Sequence, residues 1–433
     1  LTNSNNDRIL FIDLGRTIAI CMMLQGHFVT TALAPEFKDS ANTAYYIFAH
    51  LRGLTAPLFF TITGVVFAYL LSADLTKTLR ESTRLKKGLK RVLLLLLWAY
   101  LLQFNFVNFF NKFKGFDIEW ARLSNDYNYN FFAYLLEKNG LGVYGFHVLH
   151  CIGIGILFLI IIFLIARKLK FLSLATWYFL FGLSILVLHS ILIYTIPKGS
   201  YFPENAPMFI QNMFIGKHSV FPIIPYLSFV MMGGMFGAII AKKKREVFKP
   251  RFFLSLGMFG ILLILFNFQF RTDLDDLLNK YNIVNGPFFE KSSLILGRAG
   301  QVCIVLSLLI FIEYKNWLKD NWVLAIGKNT FPVFVLHAII LYGSTIGIGL
   351  DTFYKSTNYA FLRQPTMVII CAALFIGLFM FLSVHIEKVD KFYQKIVNFA
   401  FLNKLKSKPN YFQYFFVAFA GMFLLGWIIH YLR

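Results

Sequence analysis

The chain has 433 residues, 58% of them hydrophobic and only 15% charged, which excludes an ordinary soluble domain. Lys and Arg number 42 against 21 Asp and Glu, a net charge of +21. In a soluble protein that excess would point to nucleic acid; here the basic residues sit between apolar runs, so no nucleic-acid partner is expected. Cys21, Cys151, Cys303 and Cys371 lie inside apolar runs without paired spacing, which argues against a disulfide framework or a metal knuckle.

Apolar runs of about 20 residues, the length that crosses a bilayer core, recur along the whole chain. They predict an all-α fold: a polytopic membrane helix bundle of about 11 transmembrane helices, near residues 9–34, 51–72, 90–110, 146–166, 171–196, 222–241, 252–270, 292–312, 323–345, 364–386 and 411–432. No linker or soluble domain interrupts them, so residues 1–433 read as a single integral membrane domain. The first run carries Asp13 and Arg16 and lacks a small-residue cleavage site, so it reads as a span and not as a signal peptide. Loops after even-numbered spans, with the span ends beside them, hold 25 basic residues against seven acidic ones, including Lys86, Lys87, Lys242, Lys243, Lys244 and Lys328. Loops after odd-numbered spans carry the two signs nearly evenly. The positive-inside rule therefore places the N-terminus in the cytoplasm and the C-terminus outside. Orientation and contact with anionic lipid account for most of these charges, and such a surface also attracts a soluble phosphorylated cofactor.

In span one, Asp13 and Arg16 are three residues apart on one helical face and can neutralise each other. His27 follows three turns later, about 16 Å along the axis. Ionisable side chains inside a span are costly and face a bundle interior or a watery cavity, which makes this helix a functional candidate. The structural alternative is an internal ion pair plus a buried, hydrogen-bonded histidine. His50 stands where span two enters from outside, so a short connection brings it near His27. A histidine is the usual general base for a hydroxyl or amine. Basic residues interleaved with Leu79, Leu85 and Leu89 over 77–91 suggest a short amphipathic helix on the inner surface. The longest polar segments, 111–145, 197–221, 271–291 and 346–363, face outward; their aromatic and amide residues suit a sugar or another polar acceptor, as do many ordinary loops. His147 and His150 are one turn apart, but nothing nearby completes a ligand set, so no metal is expected. Arg298, with Gln301 three residues on, is a second intramembrane charge suited either to an anionic group or to structural pairing.

Arg16, ten intervening residues and His27 resemble the arginine–histidine signature of the transmembrane acyltransferase superfamily, shared with acyltransferase family 3. Further stretches resemble its heparan-α-glucosaminide N-acetyltransferase branch: Arg8 to Arg16, His50 to Gly64, His147 to Gly153, Phe221 to Tyr226, and Ile326 to His337, matching in order over most of the chain. Two positions depart from that branch, Gly15-Arg16-Thr17 and Ala56-Pro57. The resemblance implies acetyl transfer from cytosolic acetyl-CoA to an amine or hydroxyl of an extracytoplasmic sugar or glycan. It implies His50 and His27 as catalytic histidines and Asp13 with Arg16 as the charged pair of span one. Beside it, Arg16, Lys328, Asn329 and Thr330 are the expected cofactor contacts, and Arg298 a structural or pairing residue. The partners are then the bilayer, acyl-CoA and the glycan, in the cytoplasmic membrane if the source is bacterial, with oligomerisation left open. Three other readings stand beside it: an O-acyltransferase of the same superfamily with another acyl donor, a transporter or flippase of a lipid-linked sugar, and a purely structural membrane partner in which His27 and His50 are core residues.

Overall fold

A computed structural model describes residues 9–75, 77, 81–107, 109–110, 145–197, 199–216, 218–267, 271–284, 286–317, 322–355, 357–399 and 411–432. Its principal helices are α1 (Leu10–Ala32), α2 (Thr43–Arg52), α3 (Thr55–Ser72), α4 (Thr83–Gln103), α5 (Val148–Lys168), α6 (Leu174–Thr195) and α7 (Ile223–Val247). They continue as α8 (Pro250–Leu265), α9 (Arg271–Lys280), α10 (Glu290–Tyr314), α11 (Trp322–Lys328), α12 (Thr330–Tyr342), α13 (Pro365–Phe399) and α14 (Tyr411–Leu432). The chain is a polytopic helical membrane protein. Six helical stretches among the described residues are long and apolar enough to cross a bilayer: 43–72, 148–168, 174–195, 223–244, 292–314 and 365–385. A seventh follows if α11 and α12, separated at Asn329, form one broken span.

Each of the eleven runs expected from sequence carries helix, yet several differ from a uniform apolar rod. Helix α1 is 23 residues long, but Asp13, Arg16, Gln25 and His27 lower its hydropathy. Helix α8 has 16 residues. The expected ninth span breaks at Asn329, whose backbone leaves helical geometry, and Pro332 then falls in the first turn of α12, where a missing N–H costs little. Residues 83–91 are not a separate surface helix: they form the first turns of α4, which runs on unbroken to Gln103. The aliphatic run after Arg91 continues the same hydrogen-bonded ladder.

The chain divides into two compact units, residues 1–20, 49–95 and 146–328, and residues 21–48, 96–145 and 329–433. In the first, α7 packs against α3, α5 and α6, and α8 against α10. Lipid offers no hydrophobic drive for helices to associate, so close backbone approach through small residues does that work. Gly233 and Gly237, four apart on α7, meet the Thr61 and Val65 carbonyls of α3, and Gly64 on α3 meets the Val230 carbonyl of α7; a Cβ at any of the three would strike backbone. Gly260 and Gly300 make the same kind of contact between α8 and α10. Between α3 and α4 the carboxylate of Asp74, 2% exposed, accepts from Lys77 Nζ at 2.9 Å, Ser82 Oγ at 2.8 Å and the Arg84 N–H at 3.1 Å. Ser82 Oγ in turn accepts from the Leu85 N–H at 3.1 Å, capping α4.

In the second unit Phe28, on the late part of α1, packs edge-on to Tyr354 and against Phe375 of α13 at ring-centroid distances of 5.6 and 5.0 Å. Trp98 meets Phe331 at 6.0 Å, and the Phe106 N–H donates to the Thr345 carbonyl at 2.9 Å. Leu374 and Ile369 of α13, 69% and 66% exposed, present an apolar face of the kind lipid covers.

Replacing Gly237 with Leu is expected to destabilise the first unit by about 3 kcal/mol or more, since backbone cannot yield as a side chain does. Thermal unfolding in detergent checks this, with Gly377→Leu, where no atom lies within 4 Å of the added Cβ, as the control. The Lys77 hydrogen bond, helped by those from Ser82 and Arg84 and opposed by burial, holds the Asp74 carboxyl down at about 2. A depressed carboxyl stabilises the fold fully above its unfolded value of about 4 and loses that contribution as pH falls towards 2. The stability gap between the parent protein and Asp74→Asn should therefore be constant above about pH 5 and shrink from pH 4 to 2, as measured by urea unfolding across that range.

Candidate active site

Two polar clusters of the first unit contain residues singled out from the sequence. The opening turn of α1 leaves backbone N–H groups without helical partners, and the Glu313 carboxylate of α10 takes two of them, Leu10 at 3.3 Å and Phe11 at 2.6 Å. One turn on, Arg16 Nη1 lies 3.6 Å from Asp13 Oδ1, with the two side chains 21% and 10% exposed. Thr17 Oγ1 shares its single O–H between the Asp13 and Val323 carbonyls, at 3.0 and 2.9 Å, and accepts from the Gly327 N–H at 3.1 Å. A Cβ at Gly327 would strike the Asp13 carbonyl. Helix α11 is thus docked on the Asp13–Thr17 turn, and its last residue, Lys328, is exposed beside it.

In the second cluster of this unit Arg298 and Gln301, three apart on one face of α10, meet the end of α2. Arg298 Nη1 donates to the His50 carbonyl at 2.8 Å and to Gln301 Oε1 at 2.9 Å. Gln301 Nε2 lies 2.8 Å from His50 Nε2. Because Arg298 claims the amide oxygen, the amide N–H is the group that faces the imidazole, so His50 Nε2 accepts and His50 is the Nδ1-protonated tautomer. Gly53 makes room for this contact: a Cβ there would lie 2.5 Å from Arg298 Nη2. Arg298, expected as a pairing residue, thus binds the very residue expected as a catalyst.

The second unit holds the third cluster. His27 Nδ1 is 2.6 Å from the Tyr342 hydroxyl of α12. The His27 ring stacks on that of buried His337, also of α12, with centroids 5.4 Å apart and planes at 27°, while Tyr342 meets it edge-on at 5.6 Å. Asn329 Nδ2 donates to the Ser383 carbonyl at 3.0 Å, and Thr330 opens α12.

Other histidines have structural partners. His150 Nδ1 accepts from the His147 N–H at 3.2 Å, forming an N-terminal cap of α5, and the His150 ring stacks on Phe146. His189 Nδ1 bonds Ser292 Oγ at 2.9 Å, and Ser292 Oγ accepts from Ser190 Oγ at 2.6 Å, a buried link between α6 and α10. Among the described residues no three His, Cys, Asp or Glu side chains gather at metal-ligand spacing. The segment 111–144 and the side chain of His430 lie outside the described residues.

Tyr342 escaped sequence reading: it stands five residues after His337, off any helical repeat that would pair the two, and an aromatic at a span end usually reads as an interfacial anchor. His337 read as part of a stretch, and Gln301 only as a neighbour of Arg298. Polar residues separated by hundreds of positions give no local signal of contact.

A family model for an acyltransferase domain matches residues 9–384. The chain belongs to acyltransferase family 3. The match runs through both units and includes Arg16 and His27, and nothing in it supports the narrower heparan-α-glucosaminide N-acetyltransferase branch. No curated protein matches the chain. Family membership makes the chain a membrane-bound acyltransferase, with acyl transfer implied and an acyl donor required.

Removing the Arg298 guanidinium deprives both the His50 carbonyl and the Gln301 amide oxygen of a charged donor. Arg298→Ala is expected to cost about 1–3 kcal/mol, and Arg298→Lys, which offers a single point of donation, part of that. Thermal melts of the purified variants give the ranking.

Proposed function

We propose that this acyltransferase moves an acetyl group from cytosolic acetyl-CoA to an amine or hydroxyl of a sugar or glycan on the far side of the membrane, with His27 as general base. All eleven apolar runs cross the bilayer in this reading, and the N-terminus is cytoplasmic. The support for that orientation is the concentration of basic residues in alternate loops. The inner loops attract the donor's phosphates. Arg16 and Lys328, on the docked α1 and α11 turns of one unit, bind them, and Asn329 and Thr330 follow directly in the chain.

The observation that carries the choice of base is the 2.6 Å contact of His27 Nδ1 with Tyr342. A base whose second nitrogen is held by an orienting partner is the arrangement proton abstraction requires. In the reaction His27 takes the proton from the acceptor N–H or O–H while the acceptor atom attacks the acetyl carbonyl carbon. The tetrahedral adduct collapses with cleavage of the carbon–sulfur bond, and the proton on His27 passes to the coenzyme A thiolate. Products are the acetylated acceptor and free thiol.

His50 is the second candidate for the base. Its Nε2 lone pair is engaged by the Gln301 amide N–H, so a proton could enter there only after that bond broke. The Tyr342 contact at Nδ1 therefore assigns proton transfer to His27, and the Gln301 and Arg298 contacts give His50 a role in holding a polar acceptor group. A different acyl group on the donor is compatible with the same roles. A transporter of a lipid-linked sugar would need no thioester at all, and that separates the readings.

The test is calorimetric titration of acetyl-CoA into the detergent-purified protein, followed by thiol release with candidate glycan amines. Micromolar binding that weakens about tenfold or more in Arg16→Ala supports the donor assignment. Absence of binding to a folded protein overturns it. His27→Ala should bind the donor as the parent does but lower turnover by about 10²- to 10⁴-fold, the usual worth of a positioned base.

A further inference from the structure

Resting on His27 as the base, we infer that Tyr342 is a positioning residue that accepts a hydrogen bond from His27 Nδ1–H and so leaves Nε2 as the proton acceptor. A neutral imidazole carries one N–H, and which nitrogen bears it is set by the partner of the other. Were the phenol to donate to Nδ1, the ring proton would sit on Nε2 and that nitrogen could take no proton. With Nδ1–H donating to the Tyr342 oxygen, Nε2 carries the lone pair that takes the acceptor's proton. The same hydrogen bond becomes charge-assisted when the imidazolium forms, so it strengthens during proton transfer.

Helix α12 restrains His27 from a second direction. The His337 ring, 2% exposed and stacked on His27, stops that imidazole from tilting away from the phenol. The backbone after Tyr342 is itself held. Gly343 ends α12 in the left-handed region at φ 63°, its N–H bonded to the Ile339 carbonyl at 3.0 Å, and a Cβ there would strike the backbone of Ile348. The Gly347 N–H closes the turn on the Gly343 carbonyl at 2.7 Å, and buried Thr345 receives the Phe106 N–H. Tyr342 therefore stands on the last residue of a helix whose end is pinned by a tight turn. This placement, not the phenol's acidity, makes it an orienter.

The experiment compares Tyr342→Phe with the parent and with His27→Ala, using acetyl-CoA and thiol release as the readout. Tyr342→Phe should lower kcat by about 10- to 100-fold, the worth of one charge-assisted hydrogen bond, with KM for acetyl-CoA changed less than about twofold. Nitrogen-15 spectra of histidine-labelled protein at about pH 8 should assign the Nδ1–H tautomer to His27 in the parent and a mixture in Tyr342→Phe. His337→Phe, which keeps a flat ring against His27, should retain most activity, while His337→Ala should not. An Nε2–H tautomer in the parent overturns the inference and needs no variant to fold. A folded Tyr342→Phe with parental kcat overturns it as well. If instead His27→Ala retains parental turnover, the base assignment itself has failed, an outcome distinct from both.

Discussion

A side chain that carries charge or a hydrogen-bonding group inside a bilayer must find its partner within the protein, because hydrocarbon supplies none. Helix α1, in which polar residues interrupt an apolar run, shows the same demand for partners. Its first turn is satisfied by Glu313, Asp13 by Arg16, Thr17 by two carbonyls and an N–H, and His27 by Tyr342. In the first unit these bonds tie α10 and α11 to the opening turns of α1, and in the second unit the His27–Tyr342 bond ties α12 to its later turns. The polar residues that make this helix chemically interesting are also the ones that dictate its surroundings.

Packing reinforces the same requirement. Glycines at Gly64, Gly233 and Gly237 let α3 and α7 approach to backbone contact, and Gly260 and Gly300 do so for α8 and α10. Tight pairing of α8 with α10 gives a firm base for Arg298 and Gln301, which reach the end of α2. Rigid helices, not loops, therefore present both histidine clusters, which suits sites that must hold proton-transfer geometry to fractions of an ångström.

The two histidines differ in what their rings are offered. His50 has its Nε2 facing an amide donor whose orientation is imposed by an arginine. His27 has its Nδ1 facing a phenol, which can accept or donate. A residue locked as an acceptor suits recognition of a fixed hydrogen-bond pattern. One whose partner can accept from either the neutral or the charged ring suits proton transfer. Acyl transfer needs both kinds of group, a base and a set of donors for the acceptor and the developing oxyanion.

Hydropathy made a polytopic helical membrane protein legible, since crossing a bilayer imposes a length and composition on every segment alone, although six or seven of the eleven expected runs are long and apolar enough among the described residues. The same reading found Asp13 with Arg16, whose partnership is local, and singled out His27, His50 and Arg298 because ionisable groups in apolar runs stand out. It did not find the break at Asn329, which depends on how two short helices end, nor the continuation of α4 back to Thr83. It named His27 and His50 but not the side chains they bond, Gln301 of α10 for His50 and Tyr342 of α12 for His27. Composition and period are properties of one segment, so the amino-acid sequence by itself determined the class of fold and which polar residues stand out in apolar runs. Which of them meet is a property of helix pairs separated by about 250 to 315 positions, Gln301 with His50 and Tyr342 with His27, and only tertiary packing decided it.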